Sequence, residues 1–211
     1  MRITSQIEIQ KSTPNGPVRI RSFCSVKEIC SYTFNHQFGT HAHYKSLYTK
    51  RETLEKNARE PDANVTLALT DSGEIIGFGV LTYPEADERW AKLNSRTMME
   101  VKAIEVSRDW RSVGVGKNII NMLISHPHIE EKIVYMVGYS WTWDLDSTQK
   151  TTQQYRRMLI KLFEPSGFLE YQTNEPNICL KSENIFMGRV GDNVTKEIQD
   201  KFKWLRFGIY T

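Results

Sequence analysis

A single α/β or α+β domain, a central sheet with helices on its faces, is predicted from three features of the 211-residue chain. A β-hairpin is written around Asp71-Ser72-Gly73, between the strand-like runs Val65 to Thr70 and Glu74 to Tyr83. From Thr97 onward, strand-like and helical stretches alternate. The length suits one domain that buries its core without a disulfide or metal staple.

Ser5 to Gln10 alternates as a short strand, and Ser12 to Pro17 is turn-rich. Ser25 opens a helical pattern through Val26, Ile29 and Cys30. Ser46 to Glu60 reads as a charged amphipathic helix ended by Pro61. After the hairpin, closed by Pro84, comes a strand over Thr97 to Ser107, then a helix that puts Val115, Ile119, Met122 and Leu123 on one face. Glu131 to Ser140, rich in Ile, Val and Tyr, is the next strand. Thr151 to Phe163 is a helix with Tyr155, Leu159, Leu162 and Phe163 on one side, stopped by Pro165 and Gly167. Phe168 to Thr173 and Ile178 to Lys181 are read as closing strands, and Thr195 to Phe207 as a last helix through Ile198, Phe202 and Leu205. No linker or repeat interrupts the chain, so residues 1–211 are taken as one domain, with a core of about 18–184 and an extension over 185–211.

Composition excludes more than it identifies. Lys and Arg number 28 against 25 Asp and Glu, a net charge of +3, which implies neither nucleic acid nor anionic membrane as a partner. A mean hydropathy of −0.49 leaves no run long enough to cross a bilayer. Met1 to Lys11 lacks the apolar stretch of a secretion signal, so a cytoplasmic location is expected. Cys24, Cys30 and Cys179 lack CxxC spacing and fit reduced thiols, the first two read as buried on the first helix.

The segment Ile104-Glu105-Val106-Ser107-Arg108-Asp109-Trp110-Arg111-Ser112-Val113-Gly114-Val115-Gly116-Lys117 runs from a strand through a tight turn into a helix. Two glycines let backbone approach an anion, and the free N–H groups of a helix start point at it. The spacing is neither a Walker loop nor a dinucleotide fingerprint. A glycine pair for close helix–sheet packing is the plainer alternative.

Arg111-Ser112-Val113-Gly114-Val115-Gly116 after an apolar-x-Val strand end resembles the acyl-CoA motif of the GNAT superfamily of N-acetyltransferases, whose element order matches the order above. Met99 to Val106, Trp141-Thr142-Trp143-Asp144-Leu145, Tyr155-Arg156-Arg157-Met158, Tyr83-Pro84 to Glu88-Arg89-Trp90, and Arg189-Val190-Gly191 with Leu205-Arg206-Phe207 are similar to the AcuA-type acetyltransferases within it. The resemblance implies a GNAT fold with a mixed, mostly antiparallel sheet. It also implies acetyl-CoA as co-substrate, no metal, and acetylation of a lysine of AMP-forming acetyl-CoA synthetase that inactivates that enzyme. Ile104, Val106 and Arg111 to Lys117 are the implied CoA-binding residues.

Acetyl transfer to lysine needs a base for the ammonium, a polarised carbonyl and a proton route to sulfur. Glu100 sits where many family members place a catalytic glutamate, and Glu105, opposite it in strict alternation, is the rival that a strand bulge would favour. Backbone N–H groups of Ile104 to Val106 are candidates to polarise the carbonyl. Many GNAT enzymes carry a tyrosine where this chain has Phe163, which donates no proton. Tyr155 lies two turns away, roughly 12 Å by helical rise, so Tyr155, Tyr139 or water remain as acids. Trp141 and Trp143, read on one side of an extended run with Asp144 on the other, are candidate walls of a lysine channel or ordinary core aromatics. Asp144 and Asp146 attract the lysine or cap the next turn. Arg108, Lys117, Arg156 and Arg157 are candidate phosphate partners.

His36, His41 and His43 with Cys30 match no zinc spacing and read as a surface loop or lid. Lys201, Lys203 and Arg206, interleaved with Phe202, Trp204 and Phe207, are read as a protein-docking or packing face rather than a nucleic-acid stack. Two further functions stay open: inhibition of the synthetase by stoichiometric complex formation, and acetylation of a small amine.

Overall fold

The computed structural model describes residues 6–40, 50–93 and 96–210, in two units: residues 1–82 with 102–126, and residues 83–101 with 127–211.

In the first unit, β1 (Glu8–Thr13) turns through Pro14 and Asn15 into β2 (Gly16–Arg21). Thr13 Oγ1 donates to the Gly16 carbonyl at 2.7 Å, and Gly16 takes φ 115, open to glycine alone among common residues. The stretch read as merely turn-rich is therefore a hairpin, and β1 extends beyond Gln10. Val18 and Ile20 of β2 are fully buried between exposed or half-buried neighbours, a period-2 signal the sequence reading passed over.

Ser25 caps α1 (Val26–Ser31) in a reciprocal capping box with Glu28, the start expected from sequence. The short β3 (Thr33–Phe34) and α2 (Gln37–Thr40) follow. Next comes α3 (Arg51–Arg59), the described part of the charged helix read over Ser46 to Glu60; residues 46–49 of that reading lie outside the described residues. β4 (Asn64–Leu69) and β5 (Glu74–Thr82) form the predicted hairpin, and β6 (Met98–Val106) runs through both units. Strand order in this unit is β1-β2-β4-β5-β6.

One face of β4 and β5 presents Val65, Leu67, Phe78 and Val80, which cluster with Ile29, Phe38 and Leu54. The opposite face presents Gly77 and Gly79, paired with Ala68 and Thr66, and there α4 (Val115–Leu123) packs. A methyl group at Gly79 would stand 2.5 Å from Ile119 Cγ2 and 2.8 Å from Leu123 Cδ1. Gly79→Ala is accordingly expected to lower stability by about 1–3 kcal/mol, the usual cost of overpacking. In thermal melts, Ile119→Ala, which trims the facing side chain, should cost less stability in the Gly79→Ala background than in wild type.

In the second unit the first half of β6 pairs in parallel with β7 (Ile133–Gly138), Glu100 opposite Tyr135. After β7 come α5 (Leu145–Thr148), α6 (Thr152–Phe163) and β8 (Leu169–Glu170). Pro176–Cys179 forms the one-turn α7, with Pro176 in its first turn and the Glu175 carboxylate accepting from the Ile178 N–H. The closing strand read at Ile178 to Lys181 is therefore helical; the strand is instead β9 (Ile185–Val190), antiparallel to both β7 and β8. A segment read as extension thus lies inside the sheet, ordered β6-β7-β9-β8. The last helix, α8 (Lys196–Leu205), lays Phe202 and Leu205 on a cluster of Trp90, Leu93, Tyr135 and Phe186. Cys24 is buried as expected, whereas Cys30 is exposed and donates to Glu55 at 3.2 Å.

Candidate active site

The first unit holds the turn read from sequence as a phosphate cradle. β6 ends at Val106, and the Ser107 N–H donates to the Ile76 carbonyl at 2.8 Å, fixing where the strand stops. A 3-10 turn over Arg108–Trp110 follows, and Arg111 folds back to donate from Nε to the Val106 carbonyl at 2.9 Å. Ser112 and Gly114 take left-handed φ values of 64 and 88, which turn the chain into α4. Left-handed backbone is unusual for Ser, so this position is held by its surroundings. No side chain caps α4 at Gly114, so its first N–H groups and positive dipole end face outward from a surface without a Cβ.

Val115, Ile119, Ile120, Met122 and Leu123 are buried and anchor the helix, while Ser112, Gly114 and Lys117 are exposed. The turn is also tied at its start. Asn15 Nδ2 donates to the Asp109 carbonyl at 2.6 Å, and Gln37 Nε2 to the Asp109 carboxylate at 2.6 Å. Asn15 and Gln37 position the cradle and left no local signal, since each acts across more than seventy residues of chain. Ile104 and Val106 lie on one side of β6; Glu105 lies on the side of Ala103, which belongs to the Phe78 cluster.

The second unit holds Glu100 and the aromatic candidates. Glu100 shares a sheet face with Tyr135 by register, and alternation through the extended residue Tyr139 continues that face. Tyr135 is fully buried, stacked on Phe186 with centroids 5.7 Å apart, and its hydroxyl donates to Glu88 at 3.2 Å. Burial, then the charges of Glu100 and Glu88, push its phenol far up. Tyr139 is only half-buried. Its phenol is pushed up to about 12 by burial, then by Glu175, Glu100 and Glu88.

A phenol raised in the folded state stabilises the fold fully below its unfolded value near 10 and loses that contribution as pH climbs from there to about 12. Urea midpoints should fall between pH 9 and pH 11.5, less steeply in Tyr139→Phe than in wild type. Equal slopes would show that the Tyr139 phenol is not raised in the folded protein.

The run Trp141-Thr142-Trp143 is not extended. Ser140–Thr142 forms a 3-10 turn, because the Ser140 N–H donates to Asn184 Oδ1 at 2.8 Å and the chain folds back on itself. The two indoles therefore part company. Trp141, 53% exposed, stacks on Tyr139 with centroids 4.7 Å apart. Trp143 stacks on Tyr155 at 5.1 Å and borders Gly138, on the sheet face opposite Tyr139 and Glu100. Asp144 is buried and its side chain does not cap α5.

Phe163 is buried edge-on to Phe168 at 5.1 Å. Arg156 pairs with Glu170, and Arg157 is exposed. Phe202 is core, while Trp204 and Phe207 are exposed. His41 and His43 lie outside the described residues. Among the described residues no His, Cys, Asp and Glu group suited to a metal is found, and no helix is long and apolar enough to cross a membrane.

A mostly antiparallel sheet in which a strand feeds a glycine turn and a buried helix is the GNAT fold, the fold of a putative phosphinothricin N-acetyltransferase whose crystal structure superposes with a TM-score of 0.51 at 15% identity. No protein-family model matches the chain. The chain belongs to the AcuA family: it is 30% identical over 195 residues to the acetoin utilization protein AcuA of Bacillus subtilis, spanning 92% of this chain and 91% of that one. Identity to AcuA of Bacillus licheniformis is 29% over the same shares. The crystal structure of an acetoin utilization protein from Exiguobacterium sibiricum superposes with a TM-score of 0.87 at 23% identity, covering 98% of this chain and 97% of that one.

Proposed function

We propose that the protein is an acetyl-CoA-dependent protein lysine N-acetyltransferase that inactivates AMP-forming acetyl-CoA synthetase by acetylating one of its lysines. The observation that carries the reading is the uncapped start of α4 behind Gly114, a ready site for the pyrophosphate of CoA, in a chain of the AcuA family. Ile104 and Val106 on the strand, Arg111 to Lys117 in the turn and helix start are the residues assigned to the co-substrate. Trp141, stacked on Tyr139, and Asp144 are assigned to the acceptor; Trp143, stacked on Tyr155 across the sheet from Glu100, is not.

Glu100 takes one proton of the incoming ammonium, the amine attacks the thioester carbon, the C–S bond breaks, and the second nitrogen proton leaves with the thiolate as CoA thiol. Tyr139 supports Glu100 in this reading because it shares Glu100's sheet face and keeps its proton at neutral pH. Tyr155 and Glu105 stay as alternative acid and base. The chemistry needs no metal, and a cytoplasmic setting follows from the proposed partner.

Phe163 favours a second reading, inhibition by complex formation, because the position where the superfamily often has an acid is here a buried hydrocarbon ring. The test is incubation with acetyl-CoA and an AMP-forming acetyl-CoA synthetase, followed by intact-mass and activity measurement. One acetyl group gained with activity lost supports transferase action. Inhibition without a mass gain supports the complex. Neither change overturns both.

A further inference from the structure

The exposed face of Trp141 already carries an alkylammonium. Lys181 Nζ lies 4.8 Å from the centroid of the indole, whose ring is stacked on Tyr139. Alkylammonium groups settle on indole faces through the ring quadrupole, and a lysine acceptor would use the same attraction.

Lys181 is brought there by fixed backbone. It follows α7, its N–H donating to the Ile178 carbonyl at 3.3 Å, and its own carbonyl accepts from the Asn184 N–H at 2.9 Å. Asn184 is 3% exposed, and its side chain closes the arrangement by accepting from the Ser140 N–H at 2.8 Å and donating to the Asn177 carbonyl. One buried amide thus holds both the turn that bears Trp141 and the loop that bears Lys181. Next to this stack, Tyr139 continues the face of β7 that Glu100 shares through its pairing with Tyr135, which in turn binds Glu88.

We propose that Lys181 is a self-acetylation site, its ammonium held on the Tyr139–Trp141 stack as the internal counterpart of the acceptor lysine. This rests on the transferase reading above and deepens it. The step is balanced. Lys181–NH3+ gives a proton to Glu100 or water, its nitrogen forms the amide bond to the acetyl carbon, the C–S bond of acetyl-CoA breaks, and the second nitrogen proton leaves with the thiolate as CoA thiol. The product has no charge to hold on Trp141, so the indole face is released.

The experiment is incubation of the full chain with acetyl-CoA alone, followed by peptide mass mapping over time, with the synthetase assayed in parallel. Lys181 should gain one acetyl group at least about tenfold faster in wild type than in Glu100→Gln, and faster than in Trp141→Ala, with Trp141→Phe intermediate. Lys92, 4.6 Å over the Tyr210 ring, is an internal comparison for simple chemical acetylation of a lysine on an aromatic face.

An unmodified Lys181, or one acetylated no faster than Lys92 and at the same rate in Glu100→Gln, overturns the inference. If the synthetase is nonetheless acetylated, the transferase reading stands and only the self-acetylation fails. If neither protein gains mass, both fall.

Discussion

Glu100→Gln is expected to slow acetyl transfer by about 10²–10⁴-fold, the range for loss of a general base, with acetyl-CoA affinity little changed. Lysine has an unperturbed pKa near 10.4, so at neutral pH fewer than about one acceptor in a thousand carries the lone pair that attacks. A carboxylate at the acceptor offsets that by taking the proton as the bond forms. Glutamine keeps the shape and loses the basicity, so the pairing of Glu100 with Tyr135 in the sheet register should survive.

Because the cradle residues lie at the other end of β6 and in the turn beyond it, the substitution leaves the α4 helix start untouched. The measurement is kcat and KM at several pH values beside a direct acetyl-CoA binding titration. Lost kcat with retained affinity, and partial recovery toward high pH where the amine deprotonates unaided, is the expected pattern. Unchanged kcat would move the role of base to Glu105, and Glu105→Gln is the companion variant.

How far this site could be read from sequence depended on how local its determinants are. The α4 cradle was legible because Gly114, Gly116 and the 3.6-residue apolar period through Val115, Ile119 and Leu123 act within one turn and one helix. The helix starts at Ser25 and Thr151 were legible for the same reason, and the structure shows a capping box at each. The Trp141–Trp143 segment was misread as extended because its turn is set by Asn184, 44 residues away.

β9 was missed because Ile185-Phe186-Met187 is too short a run to stand out. Its pairing with β7 is what makes it a strand. The short α7 shows the converse. Ile178-Cys179-Leu180 is apolar enough for a strand, yet Pro176 at the first helical position and the Glu175 cap decide for a helical turn. Tyr139 was among the possible acids in the sequence, but its place on Glu100's face comes only from the β6–β7 register.

Asn64→Leu should cost about 3–5 kcal/mol, in the range for breaking a buried polar network, and lower Tm by on the order of 10 °C. Asn64 is fully buried at the start of β4. Its Oδ1 accepts from the Phe23 N–H at 2.9 Å and from Thr66 Oγ1 at 3.1 Å. Its Nδ2 donates to the carbonyls of Met122 and Leu123 at 2.9 and 3.3 Å. Those carbonyls belong to the last turn of α4, whose final C=O groups have no partner within the helix. One amide therefore ends α4, fixes the left-handed turn at Phe23, where φ is 51, and joins both to the sheet.

Leucine matches the volume but takes a partner from the part-buried Phe23 N–H and from the Leu123 carbonyl, at about 1–3 kcal/mol for each group left unsatisfied, while the Met122 carbonyl keeps the Ser125 hydroxyl at 2.7 Å. Asn64→Asp separates the two halves of the network. It keeps the acceptor for Phe23 but turns an anionic oxygen toward carbonyls, so its carboxyl should hold a proton in the fold. A group raised in this way stabilises at low pH and loses its contribution as pH rises. The deficit of Asn64→Asp against wild type should then shrink on acidification, whereas that of Asn64→Leu should not. Because Asn64 grips the C-terminal turn of the helix whose N-terminus forms the cradle, the acetyl-CoA KM of both variants should rise while they remain folded. An unchanged KM would mean that α4 is seated by its apolar face on Gly77 and Gly79 alone.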